Sequence, residues 1–244
     1  MENNLSYNKI LLKISGDFFR KEDEFLSFEG VRFIASQVKA IHKMGVKIGI
    51  VVGGGNILRG SKSSQKYGLP ADELDELGMQ ATLLNSGLLS STLKNLRVPN
   101  VVLSAIPVSP SIGEPYNRFK TEEFLSRGNV LIFGGGTGNP YFTTDTASVL
   151  RALQIHADIL LKATNVDGVY DKDPNKFKDA KLYKRLTYRE ALKKDLRIMD
   201  LTAFSLARDH KLSIIVFNAK NPRNIEKAVL GKDIGTIIEG GSNE

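Results

Sequence analysis

Cysteine is absent from the chain, which excludes disulfide staples and cysteine-based zinc sites and fits a reducing compartment. Long apolar runs are missing as well. No stretch approaches the ~20 apolar residues of a membrane span, and residues 1–9 are polar, without the apolar region of a secretory signal. The expectation is a cytoplasmic location, with neither export nor membrane insertion. No G-x-x-x-x-G-K-[ST] occurs, which excludes the P-loop architecture, and no G-x-G-x-x-G follows an apolar run, which disfavours a dinucleotide site. Protein-kinase signatures are absent too. The three histidines, His42, His156 and His210, form no metal-binding spacing and suit surface or cap roles. Asp167, Asp171 and Asp173 do not make a calcium loop, because Gly168 is misplaced and no glutamate closes the motif. No metal site built from side chains is expected.

What is present is globular composition: 244 residues, 41% hydrophobic and 25% charged, enough to bury about three quarters of the unfolded chain's surface. The formal charge of +7 and pI near 9.4 point to anionic partners. Basic residues are spread along the chain and cluster only over residues 172–194, where acids interleave with them. That distribution reads as solvated surface, and nucleic acid is not expected as a partner.

Apolar runs at residues 10–14, 46–52, 101–104, 130–133, 159–161 and 214–217 predict buried strands. Val31, Ile34, Val38 and Ile41 follow helical spacing between the first two, and Gly45 supplies the stop, which makes a βαβ unit. Further helices are expected over residues 72–96, 144–156, 188–193, 201–210 and 224–230. The alternation predicts an α/β fold: a three-layer αβα sandwich whose central sheet is mainly parallel and covered on both faces. One domain over residues 1–244 is expected. Residues 166–187, irregular and charged, suit a flap or a nucleotide-side lobe rather than a separate domain.

Glycines follow three of these strands: Ser15-Gly16, then Gly53-Gly54-Gly55-Asn56, then Gly134-Gly135-Gly136-Thr137-Gly138-Asn139. Glycine lets backbone N–H groups approach phosphate oxygens, so three such loops at one sheet edge suit a polyphosphate; any one alone could be a tight turn. Charged residues stand beside them: Lys13 at the end of the first strand, Arg59 after the second loop, Asp145 after the third, and Lys162 closing its own strand. A lysine inside an apolar strand is costly unless its charge is met, so Lys13 and Lys162 point to an anionic ligand, against the alternative of snorkelling to water.

These residues, in order, carry a resemblance. Lys13-Ile14-Ser15-Gly16, the Gly53–Asn56 loop with Arg59, Thr137-Gly138-Asn139-Pro140-Tyr141-Phe142-Thr143-Thr144-Asp145, then Lys162-Ala163-Thr164-Asn165-Val166-Asp167-Gly168-Val169-Tyr170 with Asp173-Pro174 resemble the amino-acid-kinase superfamily and, within it, the bacterial uridylate kinases. The match runs from about residue 9 to residue 238 and includes Met199-Asp200-Leu201. The threonine-rich loop is the part that points to UMP.

The resemblance implies ATP:UMP phosphotransfer in pyrimidine nucleotide biosynthesis, with ATP used as its Mg²⁺ complex and the chain assembled as a homo-oligomer, a hexamer by analogy. It implies catalytic roles for Lys13, Lys162 and Asp145, the last organising the two lysines. It implies ATP contacts at Lys13, Ile14, Ser15, Gly16, Gly55, Arg59, Thr164, Asn165, Tyr170 and Asp173. UMP contacts are implied at Gly54, Asp75, Thr137, Gly138, Asn139, Pro140, Tyr141, Phe142, Thr143 and Thr144. The acceptor side occupies about residues 1–160 and the ATP side about residues 161–244. On residue type alone, Asp75 and Asp145 also read as ordinary acids in a helix's first turn. The stretch 18–28 lacks the glycines usual in relatives activated by GTP, which leaves that activation open, and residues 109–120 depart from the family pattern. A protein that binds nucleotide or RNA in the same pocket without turnover is the alternative, and it would leave the two lysines without a catalytic reason.

Overall fold

The structure is a computed structural model that describes residues 5–21, 24–58 and 68–240. Nine strands form one sheet: β1 (Lys9–Ile14), β2 (Lys47–Val52), β3 (Asn100–Ser104), β4 (Glu114–Pro115), β5 (Val130–Gly134), β6 (Ile159–Thr164), β7 (Arg185–Thr187), β8 (Ile214–Asn218) and β9 (Thr236–Glu239). Their order is β4-β3-β5-β2-β1-β6-β8-β9-β7. Every pairing among them is parallel except β8 with β9. The helices are α1 (Phe28–Lys43), α2 (Ala71–Asn95), α3 (Arg118–Ser126), α4 (Thr144–Gln154), α5 (Tyr188–Lys193), α6 (Leu201–Asp209) and α7 (Asn224–Val229). The mainly parallel α/β sandwich read from the sequence is therefore the observed fold.

Local chemistry accounts for the βαβ entry. Ser27 caps α1 by accepting the Gly30 N–H at 3.2 Å, and Val31, Ile34, Ala35, Val38 and Ile41 form its buried stripe. Gly45 then takes φ +87°, which ends the helix without strain. Two cores flank the sheet. Ile10, Leu12 and Ile14 point into one with Val31 and Ile225, while Leu11 points into the other with Val149 and Phe204. Strand alternation thus puts Lys13 on the face of Leu11, under α4. Burial of each such aliphatic side chain contributes about 1.5–3 kcal/mol.

Strands β1 to β5 all lie on one side of the β1–β6 junction, and β6 to β9, which begin at Ile159, on the other. Elements the sequence reading did not anticipate are short or polar: β4, β7, β9, the nine-residue α3 and a 3₁₀ turn over Gly16–Phe19. The segment 166–187 is mostly turns, tied by an antiparallel bridge between Tyr170 and Leu182 before β7 begins.

Candidate active site

Because β5, β2, β1 and β6 are parallel neighbours, their carboxyl ends share one edge, where such sheets bind ligands. The first two glycine loops touch there. A Cβ on Gly16 would lie 2.4 Å from Asn56 Oδ1 and 2.7 Å from the Gly53 carbonyl oxygen, so only glycine lets the loops meet. Asn85, fully buried on α2, holds the second loop: its amide donates to the Gly53 carbonyl at 2.7 Å and to Asn56 Oδ1 at 2.8 Å. Asn56 in turn donates to the Phe25 carbonyl at 2.9 Å and to Asn85 Oδ1 at 3.2 Å. A Cβ on Gly54 would come within 2.9 Å of the Gly78 carbonyl oxygen, so this loop packs directly on α2. In the third loop Gly135 has φ +76° and donates its N–H to Thr82 Oγ1 at 2.9 Å.

Lys13 and Lys162 occupy paired positions in the β1–β6 register, so both side chains rise from the same sheet face. Asp145, in the first turn of α4, lies between them. Its Oδ1 is 2.9 Å from Lys13 Nζ and its Oδ2 is 2.7 Å from Lys162 Nζ. Lys162 Nζ also donates to the Ile198 carbonyl at 2.5 Å. All three side chains are at most 16% exposed. Burial pushes the Asp145 carboxyl up, but the two ammonium groups outweigh it and hold it below the usual carboxylate range. For Lys162 burial also dominates, and with repulsion from Lys13 it holds the ammonium below the ordinary lysine value despite Asp145. A simple ion pair would push its two members in opposite directions. Here both fall, Lys162 chiefly through burial and then through Lys13, and Asp145 because two cations share its one carboxylate. Such a cluster is built for an anion.

The loop over residues 137–144 rises beside this cluster. Thr137 Oγ1 accepts the Asn139 N–H at 3.2 Å, and Gly138 has φ +85°. Past Pro140, Tyr141 takes φ +67° and donates its N–H to Asp75 Oδ2 at 2.8 Å, which places the α2 carboxylate against the loop. Tyr141 and Phe142 are exposed, 73% and 46%. Thr143 caps α4 by accepting the Asp145 N–H at 3.0 Å, and Thr144 Oγ1 lies next to Gly53. Asp145 is thus a first-turn acid of α4, whereas Asp75 lies beyond the first turn of α2, whose acids are Asp72 and Glu73, and both have a partner within the site.

On the other side of Lys162 a cleft of about 800 Å³ is lined by Lys162, Thr164, Tyr170 and Asp173, with Lys194 and Arg197 opposite. Asn165 is exposed beside it. Burial raises the Tyr170 phenol above its ordinary value, helped by Asp167, and Asp173 accepts the Asn175 N–H at 2.9 Å. Ser15 caps the 3₁₀ turn that carries Gly16. Ile14, however, is fully buried with its side chain in the core, and its carbonyl is taken by the Gly53 N–H at 2.8 Å. Any ligand contact there belongs to the main chain. Gly55 stands in the turn of the second loop; Arg59 lies outside the described residues. Among the described residues no group of three or more metal-ligating side chains gathers. Asn85 escaped the sequence reading, its only signal being a polar residue in the buried stretch of α2, and Asp200 was noted within Met199-Asp200-Leu201 but given no role.

Glycine loops, two buried lysines and a shared aspartate at one parallel sheet edge define a phosphoryl-transfer site of the amino-acid-kinase type. A family model described as "Amino acid kinase family" matches residues 8–218, and the chain belongs to that family. The relatives are more particular. A uridylate kinase of Buchnera aphidicola subsp. Schizaphis graminum is 43% identical over 96% of this chain and 97% of its own. The solved UMP kinase of Bacillus anthracis superposes with a TM-score of 0.92 at 34% identity, covering 97% of each chain. That of Ureaplasma parvum gives 0.89 at 34% identity, over 95% of this chain and 98% of its own.

Proposed function

We propose that this chain is a UMP kinase that transfers the γ-phosphoryl group of ATP to UMP, giving ADP and UDP in pyrimidine nucleotide biosynthesis. The observation that carries the chemistry is the buried Lys13–Asp145–Lys162 cluster, two cations on one carboxylate. The observation that carries the substrate is the near-full-length similarity to uridylate kinases.

Residues before about 160 hold the acceptor and those after it hold ATP, within one domain. ATP lies in the cleft of Thr164, Asn165, Tyr170 and Asp173, with its phosphates along Ile14, Ser15, Gly16, Gly55 and Arg59. UMP sits against Gly54 and the loop from Thr137 to Thr144, its ribose hydroxyls donating to Asp75, whose Oδ2 already accepts from the loop. Lys13 and Lys162 meet the γ-phosphoryl from the sheet side and neutralise charge that spreads over its equatorial oxygens during transfer. Asp145 favours the charged form of Lys162 and aims both ammonium groups. No general base is required, since the attacking UMP phosphate oxygen is already anionic.

Mg²⁺ enters with ATP. The donor set fits that role: with both oxygens of Asp145 facing lysines, the ion would be held mainly by the ATP phosphates and would supply charge neutralisation there. No helix among the described residues is long and apolar enough to cross a membrane, and we place the protein in the cytoplasm as a homohexamer. An ADP-coupled assay with UMP, CMP, dTMP, aspartate, acetylglutamate and carbamate tests the assignment. Turnover with UMP supports it, and turnover of an amino acid without UMP removes it.

A further inference from the structure

The acceptor loop reaches into solvent at Tyr141 and Phe142. Among the described residues, two carboxylates tie it to distant elements. One is Asp75 on α2, through the Tyr141 N–H. The other is Asp200, whose Oδ2 accepts from Thr143 Oγ1 at 2.5 Å. The Asp200 carboxylate also accepts from Thr146 Oγ1 at 3.0 and 3.1 Å, and from the Ala203 N–H at 2.9 Å, which caps α6. One residue therefore grips both the N-cap and the first turn of the helix that carries Asp145.

The segment leading to Asp200 belongs to the other substrate. Residues 194–198 wall the ATP-side cleft, and the Ile198 carbonyl accepts Lys162 Nζ. A nucleotide in that cleft touches this segment, and the segment ends on the acceptor loop. Charge gives the contact a direction. An ionised carboxylate only accepts, so the single Thr143 proton points at Asp200 and a lone pair is left for the Asp145 N–H.

We propose that Asp200 is a positioning residue that couples the two sites, so that ATP bound on its side orders the acceptor loop and tightens UMP. The inference rests on the ATP:UMP reading above. Coupling of this kind is reciprocal: UMP must tighten ATP by the same factor. Its carrier is a loop whose order both ligands share.

The test is a calorimetric titration of UMP with and without a saturating non-hydrolysable ATP analogue and Mg²⁺, on wild type, Asp200→Ser, Thr146→Val and the double variant. Serine still caps α6 but is too short and uncharged to hold the two threonines, which keeps the fold out of the comparison. Wild type should bind UMP at least about 5-fold tighter with the analogue present. Asp200→Ser should reduce that ratio below about 2-fold with the analogue's own affinity kept, and adding Thr146→Val should take away little more. A ratio retained in Asp200→Ser overturns the proposal, as does independent binding of the two nucleotides to wild type. Loss of analogue binding in the variant also overturns it, since Asp200 would then be a wall of the cleft. If wild type binds neither nucleotide, the ATP:UMP reading falls and the coupling with it.

Discussion

Asp145→Asn is the perturbation that separates charge from shape. Asparagine keeps the volume and one acceptor oxygen, but it leaves two ammonium groups, each at most 12% exposed, with no counter-ion between them. Removing one partner of a buried charge cluster destabilises by about 3–5 kcal/mol, and the lower end applies here because one excess cation is already tolerated. Part of that loss is avoided by deprotonation. Lys162 is held below its ordinary value by burial and by Lys13, against the pull of Asp145 and Asp200. Without Asp145 its pKa falls further, and the neutral amine no longer stabilises the transferring group. Loss of one preorganised charge at such a site slows transfer by about 10²–10³-fold. Steady-state kcat at saturating ATP–Mg²⁺ and UMP, followed from mildly acidic to mildly alkaline pH, should show that drop with a new descending limb as pH rises. A variant with near wild-type kcat, or one merely less stable with an unchanged pH profile, would refute the reasoning.

Wild-type stability should fall at acid pH in part through Asp145. Its folded pKa lies below the unfolded value, so the stabilisation is present above the unfolded carboxylate range and is lost as pH falls through the folded value; urea denaturation of wild type and Asp145→Asn should show a shallower acid limb in the variant. Gly16→Ala forces a methyl group to 2.4 Å from Asn56 Oδ1, and should raise KM for ATP while lowering stability by about 1–3 kcal/mol in urea melts. Asn85→Ala leaves the Gly53 carbonyl without its 2.7 Å donor in a dry setting. It should cost about 1–3 kcal/mol of stability. Asp75→Asn should weaken UMP and spare ATP, as calorimetry on each nucleotide separately will show.

Much of this was legible in the residues. Apolar runs bounded by glycine located the central strands, and predicted helix ends fell within two residues of the observed ones, as for residues 144–156 against Thr144–Gln154. Lys13 and Lys162 stood out because a cation in a buried strand needs a reason. Their register pairing did not, since it depends on which strands become neighbours. Asp145 could not be told from a helix-start acid by pattern, and it is one; its second role exists only because α4 crosses over β1 and β6. The facing of Ile14 was likewise hidden, since strand alternation turns its side chain into the core beside Ile10 and Leu12 and leaves only its main chain toward the site. β7 and β9 were missed because strands of three and four residues carry too short a period to read. In α3 the run Arg-Phe-Lys-Thr-Glu-Glu-Phe-Leu-Ser buries only Thr121 and Leu125 and leaves Phe119 84% exposed, so no apolar stripe announced it.

Lys162→Met tests the central claim most directly, because methionine keeps the apolar stem, removes the excess charge and leaves Lys13 paired with Asp145. Following the γ-label of ATP into UDP, wild type should transfer it to UMP. The variant should be at least as stable in urea yet transfer about 10²-fold or more slowly. Label left on ATP or released as phosphate by wild type, or transfer at the wild-type rate by Lys162→Met, would contradict the account.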